Sequence, residues 1–541
     1  MPKLHIHSIS MTFNIFITKK YLNFKQRTYL FYVLRKLIKQ NNTDSSFYII
    51  YKNNTKTNQI MLSSIPAILV LNAGKTYGRT PNGKRLLYQC VPNDPSIGPI
   101  LVPYTIEAQF SKSVKNKYVT VKRESSPAGS GGIIEETLGN VDEYLPFSEY
   151  QIRCRNLNVR MTDFTKAARQ PVADDLFAHI SFDPHPNIFS IDPEGCKDID
   201  DAFSVKTVGE DLCELAIYIA NVPIVLEAMQ LWPYLTSRTT TIYLPDRKYP
   251  MLPTRLSEDL CSLKASAMRV AFIMTSRFYK GELVPGSTTY KTAQIRVKTN
   301  YAYEDKKLLK ESDYKMIYKI ALGLDKEIVD SHDVVAALMK FMNCDCANIL
   351  KENDRGIFRN MKKQLEDEDT RFASFSPSIQ RVLKTFESAS YGLSAEGHAE
   401  FGGQSYVHIT SPIRRAVDII NMSHMLDILC QKPDTKFAEK CRIDCNHINV
   451  MAKAARKVKM DCELYMKVIG KENPDTIYTG IVVENPEPNR YTVFLEELKI
   501  FSRIKTIEKL DIFSIGQYKI FVFDDESRLQ KKIRLQKFTT L

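Results

Sequence analysis

Short apolar runs separated by polar turns occupy two parts of the chain. The first part, between residues 98 and 141, contains GPILVPYTIEAQF, NKYVTVKRES and GGIIEETLGNV. The second part, beyond residue 470, contains TIYTGIVVEN, RYTVFLEEL, IFSRIKTIEKL and QYKIFVFDD. Several short β-prone runs at this spacing are typical of a small barrel. Each part is therefore predicted to form an all-β, OB-type barrel, which either binds nucleic acid through its lysines and tyrosines or serves only as a structural domain.

The region between the barrels, residues 166–468, combines apolar strand-like runs with helical periodicity. FSID, DDAFSV and LCELAIYIANV predict strands, and helical patterns dominate after residue 300. NHINVMAKAARKVKMDCELYMKV predicts a long basic helix that ends the region. We therefore expect a multidomain protein in which a mixed α/β (α+β) domain is flanked by small all-β barrels.

Four parts are predicted along the 541 residues, a length that allows roughly three or four domains. Residues 1–95 form a divergent N-terminal region, either a degenerate cold-shock or OB barrel or another structure, in which RTYLFYVLRKLIKQ predicts an amphipathic helix. Residues 96–165 form the first OB-type barrel and residues 166–468 the central domain. Residues 469–541 form the C-terminal barrel.

Charge suggests a ligand for these domains. The chain carries a formal net charge of +13, with a sequence pI near 9.0. Such an excess favours a polyanion, most plausibly nucleic acid, although a lysine-rich protein that needs charge only for solubility would show it too.

Other composition signals narrow the class of protein. The eleven cysteines show neither a disulfide framework nor paired zinc-ligand spacing. The first residues lack a signal-peptide pattern, and the apolar run IMLSSIPAILVLNA is shorter than the ~18 residues expected of a membrane span. We expect an intracellular protein, cytoplasmic or nuclear, that does not contact membranes.

Carboxylates are crowded in the stretch SIDPEGCKDIDDAFSV. It contains Asp192, Asp198, Asp200 and Asp201 between two apolar runs. In an extended segment Asp198 and Asp200 point to one face, about 6.6 Å apart. Carboxylate oxygens suit Mg²⁺ or Mn²⁺, and a pair of such ions can activate a water against a phosphodiester. The alternative is a solvated acidic turn, whereas an EF-hand is excluded because its central glycine and terminal glutamate are missing.

A second motif is HITSPIRRAVDII, residues 408–420. Ser411 followed by Pro412 predicts a helix start. Arg414 and Arg415 would then lie in the first turn, where the macrodipole disfavours cations. A phosphate would offset that arrangement, and the alternative is a surface helix whose arginines pair with acidic residues.

A third motif is TIYLPDRKYPMLPTRLSEDLCSL, residues 241–263. A strand-like run stops at Pro245, and a short helix is predicted after Pro253. Tyr243 and Tyr249 can stack on bases, although isolated aromatic residues are more often part of a core.

Taken together, these three motifs resemble the ribonuclease II family, which includes bacterial ribonuclease R and the catalytic subunit of the eukaryotic exosome. The resemblance covers residues 166–468, with the motifs in the family's order. It implies Mg²⁺-dependent hydrolysis, with Mn²⁺ as a substitute, of single-stranded RNA from the 3′ end to nucleoside 5′-monophosphates. It also implies that the flanking barrels are OB-type RNA-binding domains.

The resemblance also implies roles for individual residues. The metal ligands would be the four aspartates, Asp192, Asp198, Asp200 and Asp201. Arg414 would contact the scissile phosphate with Arg415 beside it, and Tyr243 would line the catalytic pocket, so that Asp200, Asp201, Arg414 and Tyr243 form the catalytic set and Arg414, Arg415 and Tyr243 bind RNA.

This chain also departs from the family pattern. Asn221 stands where the family usually has aspartate, Ala416 stands where tyrosine is common, and GHAEFGGQ is a loosened form of a glycine-rich segment. None of these changes removes a predicted metal ligand. The prediction is a monomeric 3′→5′ exoribonuclease whose partner is single-stranded RNA, and the alternative is a catalytically silent RNA-binding protein that keeps the same fold.

Overall fold

The computed structural model describes most of the chain beyond residue 63. The described ranges are 64–106, 114–124, 131–173, 175–235, 238–361, 370–376, 379–380, 383, 389–398, 402–430, 436–441, 443–469, 476–526 and 529–538. The amphipathic helix predicted at residues 27–40 lies outside them. Within these ranges no helix combines the length and apolar character needed to cross a bilayer.

The first barrel is a five-stranded antiparallel sheet. Its strands are β1 (Ile65–Leu69), β2 (Leu86–Pro92), β3 (Ile100–Tyr104), β4 (Lys117–Arg123) and β5 (Gly132–Asn140), in the order β3-β2-β1-β4-β5. A bridge between Leu101 and Gly131 joins the two edge strands. The inward residues of all five strands form one apolar cluster, so strands β1 and β2 belong to this barrel. The domain boundary predicted at residue 96 therefore falls inside the sheet.

The central region contains a seven-stranded sheet and two short hairpins. Its strands are β6 (Phe189–Asp192), β7 (Asp201–Gly209), β8 (Leu212–Ala220), β9 (Ile242–Tyr243), β10 (Lys248–Tyr249), β11 (Met268–Tyr279), β12 (Glu282–Leu283), β13 (Thr289–Arg296), β14 (Thr299–Ala302), β15 (Phe358–Asn360) and β16 (Ser390–Gly392). The sheet runs in the order β12-β11-β8-β7-β6-β14, with β13 also on β11. The last six residues of β8 are all buried, because β7 and β11 flank this strand and its side chains lie within the main apolar core.

Nine helices are described in and beside this region. They are α1 (Tyr144–Cys154), α2 (Thr162–Ala168), α3 (Val222–Ala228), α4 (Ser312–Leu324), α5 (Ser331–Glu352), α6 (Thr370–Ala373), α7 (Ala416–Cys430), α8 (Phe437–Lys440) and α9 (Cys445–Val468). Helix α9 confirms the long basic helix predicted from the sequence. Its apolar face packs on α1 and on the β9–β10 hairpin, which fixes that hairpin against the rest of the molecule.

The C-terminal barrel is a second five-stranded antiparallel sheet. Its strands are β17 (Ile477–Glu487), β18 (Arg490–Leu495), β19 (Ile500–Lys505), β20 (Ile515–Asp525) and β21 (Gln530–Phe538), in the order β19-β18-β17-β20-β21. Edge strands β19 and β21 contact each other. The mixed central domain flanked by small β-barrels confirms the predicted fold class.

Candidate active site

The acidic stretch forms the connection between two neighbouring strands of the central sheet. Asp192 is the last residue of β6, and Asp201 is the first residue of β7. The Ile199 N–H donates to Ser262 Oγ at 3.0 Å, and this hydroxyl donates to the Lys197 carbonyl at 2.8 Å. The Leu263 N–H in turn donates to the Ile199 carbonyl. These three hydrogen bonds hold the backbone of the connection in place.

Asp201, which is buried, and Asp192, which is partly buried, form no ion pair with a protein cation in the described part of the chain. Asp201 is 9% exposed, and its Oδ2 has no hydrogen-bond partner among the described residues. Burial, followed by the nearby carboxylates of Asp192 and Asp200, raises the pKa of Asp201 well above its usual range. Burial also raises the pKa of Asp192 to about 6, although Ser190 Oγ donates to its Oδ2 at 2.7 Å. This pair is where a cation would relieve most repulsion.

Asp200 is held by the motif that contains the two arginines. It is 3% exposed; its Oδ1 accepts the Ile413 N–H at 2.9 Å, and its Oδ2 lies 3.2 Å from Arg414 Nε. Burial raises the pKa of Asp200 to about 7, against the opposing effect of Arg414 and the Ile413 N–H. The contact joins residues that lie far apart in sequence and thus positions Arg414 beside the acidic cluster.

Asp198 pairs with a lysine. Lys248 Nζ lies 2.8 Å from Asp198 Oδ1 and 3.2 Å from Glu258 Oε1. The Asp198 side chain is mostly buried, so this ammonium supplies the charge that offsets it. The four predicted ligands are therefore divided: Asp198 and Asp200 form ion pairs, whereas Asp192 and Asp201 form none among the described residues.

The helix predicted to start at Ser411 and Pro412 begins later, at Ala416, so that prediction was wrong. Residues 412–415 form a turn whose backbone pairs with residues 239–241 instead: the Thr241 N–H donates to the Arg414 carbonyl and the Ala416 N–H to the Thr239 carbonyl. The Arg414 carbonyl and the Ala416 N–H are therefore hydrogen-bonded to residues 239–241 and not within a helix. Arg414 and Arg415 thus precede the helix rather than lie in its first turn.

Arg415 differs from Arg414 in its partner. Its Nη2 donates to Asp418 Oδ1 at 2.9 Å, and the fully buried Asp418 also accepts the Ser411 N–H at 2.7 Å. Arg415 is therefore part of the scaffold of this turn. The Arg414 side chain is 47% exposed and has a guanidinium nitrogen, Nη2, on Ser411 Oγ at 3.2 Å.

Tyr243 lies at the edge of the acidic cluster. It is directly opposite Lys248 in the β9–β10 hairpin and is 41% exposed, whereas its neighbour Ile242 is buried. Burial raises the pKa of the Tyr243 hydroxyl; the positive charge of Arg414 opposes that rise, and the carboxylates of Asp198 and Asp200 add to it. The Tyr249 hydroxyl, by contrast, donates to Glu149 at 2.5 Å, so it is engaged outside the four aspartates.

Two residues near the site were missed at the level of sequence. Lys248 belongs to the YLPDRKYPMLP segment of the third motif. Its position across a short turn from Tyr243 is the sequence feature from which it could have been predicted. Tyr303 follows β14, which pairs in parallel with β6, and its N–H donates to the Asp192 carbonyl at 3.1 Å. Burial and then Asp201 and Asp192 raise the pKa of Tyr303. No local sequence pattern predicts that Tyr303 lies beside Asp192.

One departure from the expected pattern has a structural explanation. Asn221 is fully buried; its Oδ1 accepts the Ile224 N–H and caps α3, and its Nδ2 donates to Thr292 Oγ1 at 3.2 Å. Its amide thus accepts from one neutral partner and donates to another. Asn221 belongs to the scaffold rather than to the acidic cluster.

The cluster is not a preformed cage of several ligands. Among the described residues, no group of three or more His, Cys, Asp or Glu side chains is arranged so that it could hold a metal ion. Mg²⁺ needs no such cage, because it is commonly bound by one or two carboxylates together with waters and substrate phosphates. The Asp192–Asp201 pair meets that lower requirement.

Comparison with known proteins places this geometry in a family. The RNB domain family matches residues 185–316 and 306–430, which include the four aspartates and both arginines. The central region is therefore similar to an RNB domain over residues 185–430. Exosome complex exonuclease RRP44 homolog A of Arabidopsis thaliana is 33% identical over 168 residues, which cover 29% of this chain and 17% of that protein. Ribonuclease R of Helicobacter pylori is 24% identical over 449 residues, which cover 68% of this chain and 67% of that protein.

Solved structures extend the similarity to the barrels that flank the RNB domain. Mycoplasma genitalium RNase R in complex with ribose-methylated single-stranded RNA superposes with a TM-score of 0.66 at 16% identity, covering 88% of this chain and 90% of that one. Yeast Ssd1, described as a pseudonuclease, superposes with a TM-score of 0.58 at 16% identity, covering 85% of this chain and 67% of that one. This chain therefore shares its fold with an RNase R and with a protein described as a pseudonuclease.

Proposed function

We propose that this chain is a Mg²⁺-dependent 3′→5′ exoribonuclease that hydrolyses single-stranded RNA to nucleoside 5′-monophosphates. The observation that carries the proposal is the division of the acidic cluster. Asp192 and Asp201, which form no ion pair within the described part of the chain, lie beside a half-exposed arginine that is fixed to a third carboxylate. A metal-dependent phosphodiester hydrolase needs a metal-binding site and a positively charged group that stabilises the phosphate.

The residues present fit a divalent ion. Asp192 and Asp201 would hold it, because Asp201 Oδ2 has no hydrogen-bond partner among the described residues. Burial also raises the pKa of both carboxyl groups, so a bound cation would stabilise their charged forms. Two further carboxylates act on this pair: Asp200 raises the pKa of Asp201, and Asp198 raises the pKa of Asp192. When bound, such an ion activates water and stabilises the leaving oxygen of a phosphodiester.

Arg414 supplies the phosphate contact in this proposal. Two of its guanidinium nitrogens are engaged by described residues, Nε with Asp200 and Nη2 with Ser411, and these contacts fix the plane of the group. A guanidinium carries five N–H donors, so further donors remain for phosphate oxygens. The pairing with Asp200 orients the cation before substrate arrives, which is what electrostatic stabilisation of a transition state requires.

Tyr243 positions the terminal nucleotide in this proposal. Its ring is partly exposed beside the aspartates, on a hairpin that α9 holds in place. An aromatic ring there offers a stacking surface for any base, consistent with hydrolysis that does not depend on sequence. The two barrels and the net charge of +13 favour a path for the RNA backbone toward this site.

A catalytically silent RNA-binding protein is the second candidate. It is favoured by the neutralisation of Asp198 by Lys248, which removes one carboxylate from any metal site. The fold also occurs in Ssd1, described as a pseudonuclease. Against this candidate, a protein that only binds RNA has no use for the unbalanced Asp192–Asp201 pair.

One experiment separates the two candidates. Oligo(rA) labelled at the 5′ end in one reaction and at the 3′ end in another is incubated with the protein and Mg²⁺, or with EDTA. Early release of the 3′ label as a monophosphate, abolished by EDTA, supports the exoribonuclease. RNA that is bound but stays intact in Mg²⁺ refutes hydrolysis and selects the silent RNA-binding protein.

A further inference from the structure

The β9–β10 hairpin has two faces with different contacts. Side chains alternate along a strand, and directly opposed residues of an antiparallel pair share a face. Tyr243 lies opposite Lys248, whose ammonium pairs with Asp198. Ile242 lies opposite Tyr249, and both pack in the apolar cluster that joins the hairpin to α1 and α9. One face of the hairpin is therefore turned to the aspartates and the other to two helices.

Glu149 of α1 binds the face that is turned to the helices. Its Oε1 accepts the Tyr249 hydroxyl at 2.5 Å and lies 3.2 Å from Arg247 Nη1. Its Oε2 pairs with Arg153, one turn further along the same helix. Arg247 and Tyr249 are the two neighbours of Lys248 in β10, so one carboxylate holds the strand on both sides of the lysine.

The partners of Glu149 keep its carboxylate charged. Burial acts to raise its pKa, but the Tyr249 hydroxyl and the guanidinium groups of Arg153 and Arg247 lower the pKa below its usual value. Hydrogen bonds to an ionised acceptor are about twice as strong as those between neutral groups. The mostly buried Glu149 side chain thus adds directional, charge-assisted contacts to the apolar packing of the hairpin.

Helix α1 is itself fixed to the first barrel. The Tyr150 ring stacks on the ring of Tyr118 in β4, with the two centroids 4.2 Å apart. Arg153, which pairs with Glu149, also pairs with Glu136 of β5 at 2.9 Å. Glu149 therefore joins the hairpin to a helix that is already packed on the barrel.

A second contact attaches the turn of the hairpin to α1. Asp246 accepts the Tyr144 hydroxyl at 2.9 Å and pairs with Arg247 Nε at 2.7 Å. Tyr144 thus reaches the turn, whereas Glu149 reaches β10 through Tyr249, the residue next to Lys248. The contact to Glu149 is the one that fixes how β10 is oriented.

We propose that Glu149 is a positioning residue for the candidate active site, which holds the hairpin so that Tyr243 and Lys248 face the four aspartates. It acts through Arg247 and Tyr249 and needs no contact with RNA. A displacement of ~1 Å in a reacting group can lower a rate by about 10²-fold. The inference rests on the proposed function in taking RNA hydrolysis as the reaction, whereas the position of the hairpin is measured independently of it.

Three variants test the role of this carboxylate. Glu149→Gln removes the charge with little change of shape. Tyr249→Phe removes one hydroxyl and keeps the ring in the apolar cluster. The matched control is Glu136→Gln, which makes the same chemical change in a residue of the first barrel that pairs with the same Arg153.

Fluorescence reports the position of the hairpin without RNA or metal. Tyr243→Trp places a fluorophore on the face turned to the aspartates, and the single tryptophan of the parent chain, Trp232, is buried and supplies the background. In this protein Glu149→Gln should raise acrylamide quenching and lower fluorescence anisotropy, and Glu136→Gln should change neither. Unchanged fluorescence in Glu149→Gln, or equal changes in both variants, would overturn the proposal.

Hydrolysis is measured with Tyr243 in place, as single-turnover cleavage of a short oligo(rA) in Mg²⁺. Glu149→Gln should lower kcat by up to about 10²-fold. Tyr249→Phe should lower it less, and RNA affinity in EDTA should change little because phosphate neutralisation dominates binding. The double variant Glu149→Gln/Tyr249→Phe should lose little more than Glu149→Gln alone, since both changes remove one contact.

The outcomes separate this proposal from the proposed function. Fully additive losses of kcat, or a loss of RNA affinity with kcat unchanged, would contradict a positioning role for Glu149. A parent protein that binds RNA but does not hydrolyse it refutes the proposed activity, and the fluorescence of the Tyr243→Trp protein then decides alone whether Glu149 holds the hairpin.

Discussion

Lys248 and Asp198 form an ion pair of 2.8 Å within the acidic cluster, and Glu258 shares the lysine at 3.2 Å. The ammonium therefore offsets the Asp198 carboxylate, which is then less available to a divalent ion. Asp192 and Asp201 form no such ion pair in the described part of the chain. Lys248 is thus a protein cation that limits how much positive charge the cluster can take from solution.

Removal of this lysine should strengthen metal binding. In Lys248→Met the free protein should bind Mn²⁺ about tenfold or more tightly, because charges ~4 Å apart near a protein surface interact by several kcal/mol and ~1.4 kcal/mol is a factor of ten. Calorimetric titration without RNA gives both affinity and stoichiometry. Lys291→Met is the control, since Lys291 forms an equally short pair with Asp183 away from the four aspartates. Unchanged Mn²⁺ binding in Lys248→Met would contradict the assignment.

Asp201→Asn should separate hydrolysis from RNA binding. The amide is nearly isosteric and removes one charge from a buried cluster, so folding stability without metal should stay level or rise. An amide oxygen is a poorer ligand for Mg²⁺, so hydrolysis should fall by orders of magnitude. Affinity for RNA should persist because it depends on basic and aromatic surfaces. Both quantities are measured on one preparation, and near-parental hydrolysis would show that the carboxylate is not a ligand.

Stability without metal should depend on pH in a direction set by the same cluster. The pKa values of Asp192 and Asp200 are raised from 3.8 to about 6 and about 7, so the folded state retains protons that the unfolded state has lost. This contribution to stability is complete below pH ~4 and is lost as pH rises to ~7, by a few kcal/mol in total. Urea unfolding in EDTA between pH 5 and 8 should show the decline. Asp200→Asn should flatten it, and an identical profile for this variant would exclude Asp200 as a cause.

Much of this architecture was predictable because it follows from continuous local patterns. The buried run of β8 and the periodic face of α9 both identify their elements without long-range information. Strand β21 was missed, since its sequence QKKIRLQKF places charged residues outward and leaves few apolar ones. The helix start at Ser411 was predicted wrongly because Thr239–Thr241, far away in the sequence, takes its backbone groups.

The sequence predicts which residues could form the site, but not how they are arranged. The four aspartates are recognisable from their crowding, and their contacts are not. Which carboxylate receives a protein cation depends on where Lys248 and Arg414 are brought by distant strands and turns. The division into two paired and two unbalanced aspartates is therefore a property of the fold.

Ser262 should be needed to hold the acidic connection in shape. Its buried hydroxyl accepts the Ile199 N–H and donates to the Lys197 carbonyl. Ser262→Ala leaves that N–H without its partner, which should lower the free energy of unfolding by ~1–3 kcal/mol. It should also weaken Mn²⁺ binding because the aspartates lose their fixed spacing. Ser423→Ala is the matched control: this buried hydroxyl bonds within α7, so it should cost stability without affecting Mn²⁺. Equal loss of Mn²⁺ affinity in both variants would argue against a positioning role.

Arg414 and Arg415 are adjacent arginines with different partners, and the same substitution should affect them differently. Lysine keeps the charge but loses the planar set of donors. In Arg415→Lys the ammonium can still pair with the buried Asp418, so kcat should change little. In Arg414→Lys the contacts to Asp200 and Ser411 cannot both be kept while a phosphate is bound, and kcat should fall by about 10²–10³-fold, the usual loss for one stabilising donor.

The measurement is single-turnover hydrolysis of oligo(rA) in Mg²⁺, with RNA affinity determined in parallel. Affinity should change little in either variant because the total charge is unchanged and phosphate neutralisation dominates binding. Similar losses of kcat in the two variants would show that the pairing with Asp200 does not distinguish Arg414. A large loss confined to Arg415→Lys would move the phosphate contact to Arg415 and make Arg414 the structural member of the pair.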